Sequence, residues 1–127
     1  MSGTGKTFLH TSGTSVIADD AQGAHDAATV FDETTPFVTP PEKAERRAID
    51  QRVIAAASLG IRSAVICNSM IYGVGLGLQR DSAQIPLLAA VAREFGAVRV
   101  IGNGSNRWSN VHIDDVVVLY LNAIIHS

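Results

Sequence analysis

The sequence lacks the residues and segments that several classes of protein require. Cys67 is its single cysteine, which excludes an intramolecular disulfide framework and a cysteine-based zinc cluster. Charged residues make up 17% of the 127 positions and the formal net charge is −2, so we expect no general nucleic-acid-binding face. No apolar run is long enough to span a bilayer, and no secretory signal opens the chain. We therefore expect a soluble, cytoplasmic protein with neither a nucleic-acid nor a membrane partner.

The residues that are present indicate one folded domain, with 46% hydrophobic positions. Their charges are unevenly distributed along the chain. Residues 1–45 carry seven acidic residues and two lysines, whereas residues 46–107 carry eight arginines and three acidic residues. This pattern has two explanations, an ordinary surface with uneven loops or arginines that converge in space to hold an anionic ligand.

Turn residues and hydrophobic patterns predict a strand–helix–strand unit in the first half of the chain. Residues 6–11 are rich in β-formers, and residues 42–59 have a helical stripe between a proline and a glycine. Residues 61–67 are apolar without clean alternation, which is typical of a strand covered on both faces of a parallel sheet. The chain therefore belongs to the α/β class, with a right-handed βαβ unit.

The second half is predicted to contain shorter elements and a strongly apolar final helix. Residues 68–80 are expected to form a loop, residues 82–95 a helix and residues 98–101 a short strand. The last helix runs from about 114 to 125, with Asp114 as its N-cap. Because this helix is apolar nearly all round, we expect burial on most of its sides, by a larger sheet protein or by a second copy.

Two short motifs contain residues that bind ligands elsewhere but lack the necessary context. Residues 3–7 (GTGKT) resemble the end of a phosphate-binding loop, but a strand rather than a helix follows them. His112, Asp114 and Asp115 are metal-ligand types at an unspecific spacing, and the start of a helix explains the aspartates. We predict no phosphate-binding loop and no metal site.

Four segments, in this order, resemble the extended short-chain dehydrogenase/reductases, also called the NAD-dependent epimerase/dehydratase family. They are residues 11–16 (TSGTSV), 32–36 (DETTP), 71–75 (IYGVG), and 102–104 with 111–116 (GNG and VHIDDV). The resemblance is to the middle and C-terminal part of such a protein. It implies NAD or NADP as the cofactor, although the family's glycine-rich pyrophosphate turn is absent from this sequence.

The resemblance also implies an architecture. We expect the second half of a Rossmann-like parallel sheet with part of a small substrate domain, forming a single partial domain over residues 1–127. Residues 6–72 would be the βαβ unit, residues 73–113 an insertion in the substrate region, and residues 114–127 the C-terminal helix.

Catalysis in the family uses a Ser or Thr that orients the substrate, a Tyr that acts as acid and base, and a Lys that holds the cofactor ribose. Matching the helix places Glu42 at the Tyr position and Arg46 at the Lys position, so the Tyr–Lys pair is not found. The Ser/Thr position falls on Gly13, with Ser12 and Thr14 beside it. The candidate catalytic residues are thus Ser12, Thr14, Glu42 and Arg46. Two alternatives remain open: a Glu42–Arg46 helix salt pair, and hydroxyls that only stabilise the turn.

The resemblance places Asn68, Ser69 and Met70 near the nicotinamide, and Arg107 and Trp108 in the substrate region, although Trp108 could equally anchor a core. The implied function is a fragment of an NAD(P)-binding epimerase, dehydratase or reductase, weak or inactive alone, that acts on a small molecule. The alternative is a non-catalytic binding or regulatory module that buries its last helix against a partner, such as a second copy.

Overall fold

A computed structural model describes residues 4–126 and divides them into two compact units. Residues 4–19, 37–69 and 116–126 form the first unit, and residues 20–36 and 70–115 form the second. Both units contain short parallel sheets, and together they contain three α-helices. The predicted α/β class and partial Rossmann-like architecture are confirmed, whereas the predicted division at residues 73 and 114 stays a prediction.

The first unit contains the predicted βαβ arrangement. Strand β1 (Thr7–Gly13) leads through helix α1 (Ala44–Ala55) to strand β2 (Arg62–Asn68), and the two strands pair in parallel. Short 3-10 turns at Pro41–Lys43 and Ala56–Leu59 extend α1 at both ends. The helical crossover makes this parallel pairing possible, since parallel strands cannot be joined by a tight turn.

The two faces of the β1–β2 sheet contact different helices. Ser63 in β2 donates a hydrogen bond of 2.7 Å to the carbonyl of Val53 in α1. Arg62, its neighbour, donates one of 3.4 Å to the carbonyl of Ile124 in the C-terminal helix α3 (Ile113–His126). Because successive strand side chains point to opposite faces, α1 and α3 cover opposite faces of this sheet. The buried apolar core consists of Val16, Val53, Ile66 and Val116.

The second unit contains a smaller parallel pair that corrects two predictions. Strand β3 (Met70–Tyr72), helix α2 (Gln84–Phe95) and strand β4 (Asn110–His112) follow one another, and β3 pairs with β4. The loop predicted over residues 68–80 therefore contains a strand, and the strand predicted over residues 98–101 is absent. Residues 98–101 have β-forming side chains, but no strand within residues 4–126 pairs with them.

The start of α3 also differs from the prediction. The helix begins at Ile113, and the N–H of Asp114 donates to Nδ1 of His112 at 3.3 Å. His112 therefore satisfies a free N–H group of the first turn, and Asp114 lies one residue inside the helix. Both Asp114 and Asp115 remain suitably placed for the helix dipole.

Most of the apolar side chains of α3 are not covered. Within the described part of this helix, Val116 alone is buried. Six others are between 50% and 65% exposed: Val117, Val118, Leu119, Leu121, Ile124 and Ile125. The expected burial on most sides is thus absent from residues 4–126. No helix in this range is long and apolar enough to cross a membrane.

Candidate functional site

The carboxyl ends of β1 and β2 lie side by side and form the candidate site. Ser12 is opposite Cys67, and Gly13 is opposite Asn68. In open parallel α/β sheets, ligands bind beyond the carboxyl ends of the strands. We call Thr11–Gly13 together with Cys67–Asn68 the carboxyl edge.

Ser12 is bound to a buried carboxyl group on the α1 face of the edge. Its hydroxyl donates a hydrogen bond of 2.9 Å to Oδ2 of Asp50, and the two residues are 5% and 1% exposed. Nε2 of His10 lies 3.3 Å from Oδ1 of Asp50, but Oδ1 accepts no hydrogen bond of good geometry within residues 4–126. This is not a nucleophilic triad, because that arrangement needs the histidine between the serine and the carboxyl group. The Ser12 hydroxyl is therefore already hydrogen-bonded to a buried side chain of the protein itself.

A second polar cluster lies on the α3 face of the edge. Oη of Tyr120 is 2.6 Å from Oγ1 of Thr11 and accepts a hydrogen bond of 3.0 Å from Nδ2 of Asn68. One phenol therefore joins α3 to the ends of both strands.

Sequence reasoning missed Asp50 and Tyr120. Asp50 lies three residues before the buried Val53 on α1, which signals that it faces the sheet. Tyr120 is the one polar-tipped aromatic in an otherwise aliphatic stretch of α3, and a buried tyrosine hydroxyl usually has a partner.

Arg46 reaches the edge from α1. Gly13 has an extended backbone, and Nη1 of Arg46 would lie 3.8 Å from a Cβ atom built on it. Thr14 follows at the start of the short turn Thr14–Ile17 and is half-buried. Glu42 is exposed in the turn before α1, and no ion pair joins it to Arg46 in the described structure. The helix salt pair is therefore not formed, and Arg46 is the candidate whose charge lies at the edge.

The Cys67 thiol is also at the edge, but its environment disfavours the thiolate. Burial raises the pKa of this thiol, and the nearby Asp50 raises it further, whereas Arg47 and Arg46 act in the opposite direction. The guanidinium of Arg47 is held over the ring of Phe37, 4.6 Å from its centroid. Because the thiolate is the nucleophilic form, Cys67 is a poor candidate for covalent catalysis.

The predicted cofactor and substrate residues fall in both units. Asn68 and Ser69 belong to the first unit, whereas Met70 begins β3 in the second and donates its N–H to the carbonyl of Ser109. Arg107 forms an ion pair with Asp26, with 3.0 Å between Nε and Oδ2. Trp108 is 46% exposed, so the alternative of a core anchor is wrong.

The second unit has an open cavity of about 250 Å³. Polar side chains at its wall include Tyr72, Arg80, Ser82 and Gln84. Among the described residues, no group of three or more His, Cys, Asp and Glu side chains could hold a metal ion. The His112–Asp114 contact, 3.5 Å between Nδ1 and Oδ2, is a pair at the start of α3.

Comparison with known proteins identifies the family. The sequence model of the NAD dependent epimerase/dehydratase family matches residues 2–127. The chain belongs to this family. The resemblance drawn from its four segments is therefore confirmed, and the family is NAD-dependent by its description.

Three curated relatives cover different shares of the chain. An uncharacterized protein of Schizosaccharomyces pombe is 27% identical over 125 residues, 98% of this chain. A 2-alkyl-3-oxoalkanoate reductase of Stenotrophomonas maltophilia is 30% identical over 80 residues, 63% of the chain. A 3beta-hydroxysteroid-dehydrogenase/decarboxylase of Arabidopsis thaliana is 30% identical over 120 residues, 88% of the chain. The matched part covers 38%, 22% and 24% of the full length of these three relatives, in that order. No solved structure matches the chain significantly.

Proposed function

We propose that this chain supplies one part of an NAD(P)-dependent oxidoreductase site, in which hydride passes between a nicotinamide and an oxygen-bearing carbon of a small molecule. The observation that carries the proposal is the arrangement at the carboxyl edge, where Arg46 and Asn68 flank Gly13. Family membership supports the cofactor class. The names of two relatives, a reductase and a dehydrogenase, support hydride transfer.

Each of the following residues has a role in this proposal. Arg46 stands in for the family's lysine and binds the ribose hydroxyls of the cofactor as a permanent cation. Thr14, half-buried directly after Gly13, orients the substrate through its hydroxyl. Asn68, with Ser69 and Met70 after it, lies beside the nicotinamide. In the second unit, Arg107 and Trp108 contribute to substrate binding.

The proposal includes weak activity, or none, for the chain alone. Glu42 occupies the position of the family's acid–base tyrosine, and it is exposed rather than held at the edge. The sequence also contains no glycine-rich turn of the family type to bind the cofactor pyrophosphate. We place the protein in the cytoplasm, where a single free thiol such as Cys67 stays reduced.

Titration of the chain with NADH and NADPH, followed by fluorescence, tests the proposal. We expect weak binding that Arg46→Gln weakens by about tenfold, the effect of losing roughly 1.5 kcal/mol of charged hydrogen bonding. Arg52→Gln, on the same helix and also exposed, is the matched control and should leave binding unchanged. Undetectable binding would contradict the cofactor assignment, tight stoichiometric binding would contradict the predicted weakness, and equal effects of the two variants would contradict the role of Arg46.

A second candidate function is a non-catalytic module that buries α3 against a partner, in the simplest case a second copy of this chain. The half-exposed apolar side chains of α3 favour it, because contiguous apolar surface of this kind marks interaction sites. Light scattering after size-exclusion chromatography tests it. We expect an oligomer that Leu121→Lys dissociates and Val38→Lys does not, since Val38 is 91% exposed outside α3. A monodisperse monomer would contradict self-association.

A further inference from the structure

Tyr120 occupies an unusual position at the carboxyl edge, because a single oxygen atom contacts both strand ends. Its Oη lies 2.6 Å from Oγ1 of Thr11 in β1 and 3.0 Å from Nδ2 of Asn68 in β2. Tyr120 and Asn68 are both half-buried. The Asn68–Tyr120 hydrogen bond is therefore partly shielded from water, which makes loss of either of its partners costly.

The donors and acceptors in this cluster determine how Asn68 is oriented. A side-chain amide has an NH₂ donor group and a carbonyl acceptor on opposite sides of one carbon. Since Nδ2 of Asn68 donates to Tyr120, the carbonyl Oδ1 is turned away from the phenol. Oδ1 has no hydrogen-bond partner within the described residues 4–126. Rotation of the amide would place two acceptors against each other unless the phenol also turned.

Tyr120 is well suited to hold this orientation. Its ring has two rotatable bonds, and its backbone is part of α3 rather than of a loop. Thr11 contacts the same phenol oxygen from β1, so the phenol is held from a second strand. Together these contacts fix the Asn68 side chain before any ligand arrives, which lowers the entropy cost of binding.

We propose that Tyr120 is a positioning residue that holds the Asn68 carboxamide so that Oδ1 accepts a hydrogen bond from the carboxamide N–H of a bound nicotinamide. Tyr120 itself does not touch the cofactor in this arrangement. The inference rests on the proposed function for the identity of the ligand, whereas the orientation of Asn68 rests on the contacts above.

The first experiment tests the orientation without any ligand. The side-chain NH₂ resonances of Asn68 are recorded by ¹H–¹⁵N NMR in the wild-type chain, in Tyr120→Phe and in Tyr72→Phe. Tyr72 is the only other tyrosine and belongs to the second unit, so its variant is a matched control. We expect Tyr120→Phe to shift these resonances and speed their exchange with water, and Tyr72→Phe to leave them unchanged. Unchanged resonances in a folded Tyr120→Phe chain would overturn the proposal.

The second experiment tests the ligand. NAD⁺ is compared with its 3-acetylpyridine analogue, in which a methyl group replaces the carboxamide NH₂, with the Gly13 amide resonance as the reporter. We expect the wild-type chain and Tyr72→Phe to prefer NAD⁺ by about fivefold, the effect of one hydrogen bond of about 1 kcal/mol, and Tyr120→Phe to lose this preference. Equal affinity of the wild-type chain for both dinucleotides would overturn the proposed contact.

The two experiments separate this inference from the proposed function. If neither dinucleotide binds the wild-type chain, the proposed function fails and the nicotinamide contact fails with it, while the resonances of Asn68 still decide whether Tyr120 orients that side chain. If both bind without discrimination, the proposed function survives and the proposed contact between Asn68 and the nicotinamide carboxamide does not.

Discussion

The hydroxyl of Ser12 donates a hydrogen bond of 2.9 Å to Oδ2 of Asp50, a carboxyl group that is 1% exposed. The two residues are 38 positions apart, Ser12 on β1 and Asp50 on α1. This hydrogen bond therefore links α1 to the strand that ends at the candidate site. Its strength should therefore be visible in the stability of the first unit.

Ser12→Ala should lower the free energy of unfolding by about 2 kcal/mol, because it leaves a buried carboxyl oxygen without its donor. Urea unfolding followed by circular dichroism measures this loss. Ser58→Ala is the control, since that hydroxyl is exposed and bonds to the Ala55 carbonyl. We expect the control to change stability by less than about 0.5 kcal/mol. Equal losses in the two variants would contradict a structural role for the buried bond.

Gly13 should tolerate a side chain, although it lies at the candidate site. Its φ is −161°, an extended value open to any residue, and a Cβ would meet Arg46 and Asn68 only at 3.8 Å. We expect Gly13→Ala and Gly13→Ser to change unfolding free energy by less than about 0.5 kcal/mol. Gly13→Ser also places a hydroxyl at the family's Ser/Thr position, so its NADH titration should be compared with that of Gly13→Ala.

Gly23 should not tolerate the same change. Its φ is +77°, and a Cβ would collide with the carbonyl oxygen of Ile101. Gly23→Ala should destabilise the second unit by more than about 1 kcal/mol, because left-handed backbone strain and the backbone contact act together. Hydrogen exchange of amides in residues 70–115 measures the loss. Full retention of protection there would show that the segment carrying Gly23 is not packed on Ile101.

Acid should disrupt the turn at Asp32. Hydrogen bonds from the Thr35 hydroxyl, the Thr34 hydroxyl and the Thr34 N–H lower the pKa of Asp32 from 3.8 to about 2. Because the folded pKa is the lower one, the turn is fully stabilised above pH 3.8 and loses that stabilisation as the pH falls towards 2. NMR titration of the Asp32 carboxyl carbon should show that Thr35→Val raises its pKa and that Thr39→Val does not.

Cys67 should react slowly with iodoacetamide at neutral pH, compared with a short cysteine peptide, because burial and Asp50 raise the pKa of its thiol. Arg47 opposes this shift, so Arg47→Gln should slow the reaction further. Arg52→Gln provides the control on the same helix. Faster alkylation in Arg47→Gln would mean that the stacking of Arg47 on Phe37, rather than its charge, limits access to the thiol.

Local patterns predicted the elements of the first unit well. The helix predicted over residues 42–59 corresponds to α1 with its two flanking turns, and both predicted strands are present. These segments carry their own signals, namely a proline before the helix, a glycine after it and apolar strand residues. The three-residue strands β3 and β4 were not predicted, because such short segments contain less than two full periods of alternation.

The candidate site was predictable in location but not in its contacts. The resemblance directed attention to Ser12, Arg46 and Asn68, and all three lie at or beside the carboxyl edge. It could not indicate that Asp50 would bind Ser12, or that Tyr120 would bind Asn68 from 52 positions away. Residues so far apart in the sequence produce no pattern in the local spacing of residue types from which their contact could be predicted.

The amino-acid sequence by itself determined the class of the fold, the βαβ unit and the family, since each depends on local periodicity or on short motifs in a fixed order. Tertiary structure alone decided which polar groups meet: the Ser12 hydroxyl with Asp50, the Asn68 amide with Tyr120, and Arg46 with the end of β1 rather than with Glu42. The reason is physical. Hydrogen bonds between side chains require atoms within about 3 Å of each other, and that proximity is created only when strand register and helix packing bring distant segments together.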